Sequence, residues 1–349
     1  MRYRTYPGTE LTVSAVGFGL WTTSTGWWGE MTDDDAVALL DEAHNTYGVT
    51  LFDAADTYGN GRSEAQLASA FAKCRDKVIY ATKFGYDFQA HAGERNGQQE
   101  LPQNFSPEYL RRALEGSLER LQTEYIDLYQ IHNARMEQIE SDELFALLEE
   151  FRREGKIRAY GVALGPAIGW LGEGVAAVAK RNVTSLQMIY NLLEQYPGNA
   201  MLDTAERVDA ATGFMIRVPH SSGMLEGRYT AETTFPPGDH RRHRPRSWLL
   251  NGLRKVERLR FLELPNRTLG QASLQWLLKS PRIMTLLPNI YDREGLREFA
   301  SACETPPLTP DELDRIAELA RVNFEVEEPP GSFKGTMTYE PALAGSAAR

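Results

Sequence analysis

Along the chain, short aliphatic or β-branched runs alternate with longer stretches in which apolar residues recur every three or four positions. The first kind reads as buried strands, the second as amphipathic helices. Strands are expected at 16–20, 50–53, 78–82, 126–131, 157–162, 185–189, 214–218 and 283–287. Helical stretches fill the intervals. One opens at Ser106, an N-cap followed by Pro107 and Glu108, and carries Leu110, Leu114, Leu118 and Leu121 on one face. Another opens at Thr32, where Asp33, Asp34 and Asp35 suit the positive end of the helix dipole, and continues through Val37, Leu39 and Leu40. Strict alternation of strand and helix builds a parallel sheet with helices on its faces. Eight such units, with no composition break or linker, match a single closed (β/α)8 barrel, the TIM barrel, better than a doubly wound sheet.

Composition narrows the class. With 349 residues, 42% hydrophobic and 25% charged, the chain can bury a large core. A formal net charge of −10 argues against a nucleic-acid partner. The one basic run, HRRHRPR at 240–246, reads as a solvated loop, with a localisation signal or an anion contact as alternatives. Cys74 and Cys303 are too few for a disulfide framework or a metal cluster and fit a reducing compartment. The chain starts without an apolar signal segment, and no stretch approaches the roughly 18 apolar residues of a spanning helix, so it is expected to be cytoplasmic with no membrane partner. The Gly/Gln-rich loop around His91, over 88–100, reads as a flap. Oligomeric state is not legible.

Candidate chemistry sits where the strands end, which in a (β/α)8 barrel is the functional face. LFDAADTYGNGRSE (51–64) ends a strand on Asp53 and follows it with Tyr58; ATKFG puts Lys83 after the third strand and LYQIHN puts His132 after the fourth. Each alone is ordinary: an Asp caps, a Tyr packs, a Lys is solvated, a His is a satisfied neighbour. On successive strand ends they form a device for moving a proton. A free phenol ionises near pH 10, too weak an acid at neutrality, and an ammonium beside it favours the phenolate. A carboxylate beside Lys83 keeps that ammonium charged, and His132 is suited to orient a carbonyl oxygen. Asp56 has no part in this scheme and reads as a turn or cap residue. Trp21, Trp27, Trp28, Tyr86 and Phe88 stand near strand ends and could line an apolar pocket.

At these residues the sequence closely resembles the aldo-keto reductase family, whose Asp, Tyr, Lys and His tetrad matches Asp53, Tyr58, Lys83 and His132. MRYRTYPGTELTVSAVGFGLW is similar to that family's opening β-hairpin and first strand, and EYIDLYQIHN to its fourth strand. PHSSGMLEGRY resembles its loop that clasps the cofactor pyrophosphate. The resemblance covers roughly 1–325, leaving 326–349 as a C-terminal tail, and implies long loops on the C-terminal face. It implies NAD(P)H-dependent reduction of a small-molecule aldehyde or ketone, with hydride from the nicotinamide, a proton from Tyr58 and no metal. To the cofactor it assigns Gly19, Trp21 and Asp53 at the early strand ends, then Gln187 and Arg217. It adds Pro219, Ser221, Gly223, Leu225 and Gly227 in the clasping loop, and Asn289 and Arg293 after the last strand. NADPH is the cofactor it names, with NADH as the alternative.

The chain also departs from the family. Where a Ser-Asn pair usually holds the nicotinamide carboxamide, this chain has Ala163 and Leu164, leaving Gln187 with Asn191 nearby. Arg217 replaces the aromatic residue that commonly stacks on the nicotinamide; a guanidinium can stack too, and its charge favours the reduced cofactor. At the 2′-phosphate end Asp292 would repel an anion, and only Arg293 or Arg297 could compensate. These changes keep two other functions open: a redox-neutral sugar epimerase or isomerase, and a nicotinamide-binding regulatory subunit.

Overall fold

The computed structural model describes residues 1–91, 100–329 and 331–339. The flap expected over 88–100 therefore lies largely outside the described residues. Two short strands, β1 (Tyr3–Thr5) and β2 (Thr12–Ser14), pair antiparallel as the N-terminal hairpin. Beside and within it, Tyr6, Leu11 and Val13 are buried against Leu51, Ala81, Leu128 and Met215. The hairpin thus plugs the barrel end at which the strands begin.

Eight strands follow: β3 (Phe18–Gly19), β4 (Leu51–Asp53), β5 (Ile79–Phe84), β6 (Ile126–His132), β7 (Ile157–Ala163), β8 (Ser185–Ile189), β9 (Gly213–Arg217) and β10 (Ile283–Leu287). Each lies parallel to the next in chain order. The ring closes where the Gly17 N–H donates to the Leu286 carbonyl (2.8 Å) and the Leu286 N–H to that of Ala15 (3.0 Å). Glycine is required at 17, since a Cβ there would stand 2.9 Å from both Leu51 Cδ2 and Thr285 Oγ1.

All eight expected strands are present, 185–189 and 283–287 with the expected bounds and the others with shifted ends. β3 is shorter than 16–20 because the chain turns into a helix at Trp21–Ser24. β5 runs on to Phe84 and β6 to His132, so Lys83 and His132 lie within strands. In β6, Leu128 joins the interior cluster, while Tyr129 stacks on Phe84 at 4.3 Å on the opposite face. Two-residue alternation then sends Gln130 and His132 inward with Leu128. The helices Pro107–Leu121 and Asp33–Asn45 start as expected: Ser106 and Thr32 accept from the N–H groups of Tyr109 and Asp35. Among the described residues no helix is long and apolar enough to cross a membrane.

The stretch beyond 325 is not simply a tail apart from the barrel. The Trp170 N–H donates to the Lys334 carbonyl (2.7 Å), the Lys334 N–H to that of Ile168 (2.9 Å), and the Gly172 N–H to that of Thr336 (2.7 Å). The buried Glu173 carboxylate accepts from both the N–H and the hydroxyl of Thr336. Residues 331–339 are thereby fastened to the loop after β7, at the mouth of the barrel.

Candidate active site

Asp53 ends β4 with its side chain inside the barrel. Its Oδ2 accepts from Lys83 Nζ at 2.6 Å, and Lys83 also donates to the Ala54 carbonyl at 2.7 Å. Asp53 Oδ1 accepts from two amides, Gln130 Nε2 and Gln187 Nε2, each at 3.1 Å. All four side chains are buried. Lys83 Nζ stands 4.8 Å from the centre of the Tyr58 ring. That ring meets Trp21 edge-on at 5.0 Å and His132 at 5.7 Å, and Tyr86 meets His132 at 5.0 Å from another side.

Local sequence explains this arrangement. The Ala54 and Asp56 N–H groups donate to the carbonyls of Ala81 and Lys83, so the chain after β4 stays bound to β5. Gly59, Asn60 and Gly61 all take positive φ and reverse the chain from Tyr58 into the helix Arg62–Phe71. That is the use of the Gly-Asn-Gly in the opening motif. Asp56 lies in a turn, as expected, which the Tyr58 N–H closes on the Ala55 carbonyl at 3.1 Å. Asp56 is fully buried, and both side-chain oxygens lack a hydrogen bond among the described residues. Burial, with Glu64 nearby, holds its pKa well above the usual carboxylate range.

A cavity of about 570 Å³ opens over these groups, lined by Trp21, Trp27, Trp28, Tyr58, Tyr86 and His132 on one side and Gln187, Arg217, Val218 and Asn289 on the other. Gly19 and Asp53 also reach it. Phe88 does not line it, packing instead with Tyr86 and Leu101. The basic run is a solvated loop only in part: Arg242, His243, Pro245 and Arg246 are exposed, but the run also reaches the cavity. His240, His243 and Arg244 line the cavity, while Arg241 lies 4.3 Å over Trp28 and pairs with Asp239 at 2.6 Å. Charge alone points to solvent, but a guanidinium paired with a carboxylate packs readily on an indole. Ser332 and Lys334 complete the wall.

On the far side, Arg217 Nη2 donates to the carbonyls of Leu164 (2.8 Å) and Gly165. These belong to the stretch that replaces the family's Ser-Asn pair. Arg217 has no carboxylate partner among the described residues, and its Nε is buried there without a hydrogen bond. Burial lowers its pKa, opposed by the nearby Tyr58 and Asp53. Asn191, expected to help Gln187, is consumed by a turn: its Nδ2 donates to Glu194 and to the Val218 carbonyl, and its Oδ1 accepts from Leu193 and Glu194. The amide of Gln130 was not singled out by sequence reasoning; an inward polar position two residues before His132 is the signal that could have found it.

In the loop after β9, Val218, Ser221, Ser222, Gly223 and Gly227 all have positive φ. Pro219, Ser221, Gly223, Leu225 and Gly227 shape this loop without lining the cavity. After β10, Asn289 Nδ2 is buried without a partner among the described residues, whereas Arg293 is paired with Glu42 and its side chain is 69% exposed. Within the loop, His220 is fully buried, with Nε2 3.1 Å from the Gly270 carbonyl and Nδ1 without a partner among the described residues. Protonating Nδ1 would bury a charge, and burial pushes the pKa from 6.5 down to about 4. The unfolded chain therefore takes up the proton first as pH falls. His220→Gln, which keeps a donor for Gly270, is expected to gain stability relative to the parent between pH 6.5 and 4, by about 3 kcal/mol in all. Urea unfolding of both proteins across that window checks it; a constant difference rejects it.

Known proteins share this architecture. The profile of the Aldo/keto reductase family matches residues 15–321. The chain is 31% identical to the aldo-keto reductase yakc of Schizosaccharomyces pombe, whose name specifies NADP(+), over 76% of this chain and 77% of that protein. It is 29% identical to the NADH-specific methylglyoxal reductase of Escherichia coli, over 84% of this chain and 91% of that protein. The glycerol dehydrogenase of Gluconobacter oxydans superposes with a TM-score of 0.76 at 25% identity, over 95% of this chain and 99% of that one. A family match spanning the barrel, joined to the gathering of Asp53, Tyr58, Lys83 and His132 at its mouth, leads to one assignment: the chain belongs to the aldo/keto reductase family of oxidoreductases.

Proposed function

We propose that this chain reduces a small aldehyde or ketone to its alcohol, with a nicotinamide dinucleotide as hydride source and Tyr58 as proton donor. The observation that carries this reading is the buried Lys83–Asp53 pair, 2.6 Å apart, beside the Tyr58 ring at the base of the cavity. The residues present fit the cofactor: the Nε of Arg217 and the Nδ2 of Asn289, both buried without a hydrogen bond among the described residues, belong to residues of the cavity wall, and Gln187 offers its amide oxygen. When bound, the cofactor supplies hydride to the carbonyl carbon. Tyr58 gives the proton to the oxygen, Lys83 makes that proton easier to release, and Asp53 keeps Lys83 charged. His132 orients the oxygen and stabilises its developing charge. Trp21, Trp27 and Tyr86 enclose the reacting carbonyl and keep water from it.

The test is direct. The purified chain is given NADH or NADPH with a panel of carbonyls that includes methylglyoxal and glyceraldehyde, and absorbance of the reduced cofactor is followed. Oxidation with at least one substrate is expected; none with any substrate sinks the reading.

For the cofactor we take NADH over NADPH. Of the residues the resemblance assigns to a 2′-phosphate, Arg293 is engaged by Glu42, and Arg297 shares its helix face four residues on. Asp292 spends its carboxylate as an N-cap on the Gly295 N–H and adds negative charge. Titrating both reduced cofactors against tryptophan fluorescence is expected to give tighter NADH binding; equal or tighter NADPH binding reverses the choice. We assign the chain to the cytoplasm, in keeping with its two free cysteines.

A further inference from the structure

We infer that Gln130 is a positioning residue for proton donation: its amide, together with that of Gln187, holds Asp53 as a carboxylate so that Lys83 stays charged beside Tyr58. The inference rests on the proposed reaction and names a residue which that reading does not require. Asp53, Gln130 and Gln187 project from β4, β6 and β8, alternate strands of the barrel, and alternate strands supply the side chains of one interior layer. Such layers are ordinarily filled by branched apolar residues. Here two amides converge on one carboxylate.

The direction of the bonds sets the charge. Both amide groups are donors, so a proton on Asp53 Oδ1 would face two N–H groups and no acceptor. On the other oxygen, Oδ2 faces the Lys83 ammonium. Among the described residues, the ionisable donor hydrogen-bonded to this carboxylate is Lys83, and two donors on Oδ1 make transfer of its proton less favourable. Gln130 also bears a cost for this orientation. Its Oε1 is buried without a hydrogen bond among the described residues, which is destabilising. Turning the amide over would aim that oxygen at Asp53, so the carboxylate dictates which way Gln130 faces. An apolar residue at 130 would avoid the cost, which marks the amide as serving the site.

The other titratable groups that face the pair are Tyr58 and Asp56 on the loop after β4, His132 of β6, Tyr86 after β5, Tyr6 beside the hairpin and Arg217 of β9. None of them donates a hydrogen bond to Asp53. Losing the Gln130 donor therefore falls on the Lys83–Asp53 pair: the carboxylate draws the lysine proton, less positive charge stands beside Tyr58, and its proton is held more firmly.

Gln130→Met keeps the length of the side chain and removes the donor. Carbonyl reduction is expected to fall roughly tenfold, and the alkaline limb of the pH–rate profile to move up by about half a unit, with cofactor binding and melting temperature close to the parent's. Gln130→Glu is isosteric and guards against a packing artefact. Its carboxyl can donate to Asp53 while protonated and repels it once ionised, so a new loss of rate is expected as pH rises. A working parent enzyme whose alkaline limb stays fixed in Gln130→Met, or whose profile is unchanged in Gln130→Glu, overturns the inference alone. A parent that reduces no carbonyl overturns the proposed function and this inference together.

Discussion

Tyr58→Phe is expected to abolish carbonyl reduction while leaving the fold and cofactor binding almost untouched. The substitution removes one oxygen. The ring that remains keeps its edge-on contacts with Trp21 and His132 and its place 4.8 Å from the Lys83 ammonium. Nothing in the packing should shift, so the loss reads the hydroxyl alone. A positioned general acid contributes about a hundred- to ten-thousand-fold, and the rate should fall within that range. In the proposed reaction His132, whose ring meets the phenol edge-on, orients the oxygen and does not supply the proton. Two measurements check the claim on one sample. Oxidation of NADH with the best substrate reports chemistry, and quenching of tryptophan fluorescence reports binding, since Trp21, Trp27 and Trp28 line the cavity. Turnover close to the parent's would remove Tyr58 from the role of donor, and lost binding would show that the ring is not held as described.

How far the sequence foretells this site depends on whether the signal is local. The barrel is legible because each strand and helix carries its own periodicity, and strand count then sets the closure. Asp53, Tyr58, Lys83 and His132 are legible because polar residues at the ends of apolar runs are anomalous within the run itself. What is not legible comes from pairs distant in sequence. Gln130 reads as one polar residue in a strand until the barrel brings it to Asp53, 77 positions away. Asp56 sits in a motif full of turn formers, and only the packing of Tyr109, Tyr129 and the Glu64–Arg120 pair around it reveals a buried acid. The run at 240–246 is basic along its length, yet Trp28 and Asp239 turn part of it into a cavity wall. The segment 331–339 joins the mouth through backbone hydrogen bonds, which leave no mark on side-chain pattern.

Asp53→Asn should be the most damaging single change at the site, and the reason lies in donors and acceptors more than in charge. The parent carboxylate is surrounded by donors: Lys83 on Oδ2, Gln130 and Gln187 on Oδ1. An asparagine has one acceptor end and one donor end. Whichever way it turns, its NH₂ faces either the ammonium or the two amides, and a donor–donor contact results. If the NH₂ faces Lys83, that fully buried ammonium keeps only the Ala54 carbonyl as an acceptor; if the oxygen faces it, the NH₂ opposes two buried amide donors. Removing one partner of a buried ion pair costs about 3–5 kcal/mol, so urea unfolding should register a loss of that order along with a large loss of turnover. Lys83→Met removes the other partner, but the carboxylate it leaves keeps two amide donors, so the expected instability is smaller. Combining Lys83→Met with Asp53→Asn takes away the stranded ammonium and relieves the clash with it. The double variant should therefore be more stable than Asp53→Asn alone while remaining as inactive as either single variant. Stability losses that simply add would mean the two groups do not act as a pair. Stability recovered together with activity would mean that the charge beside Tyr58 is dispensable for proton transfer, and the role given to Lys83 would fall.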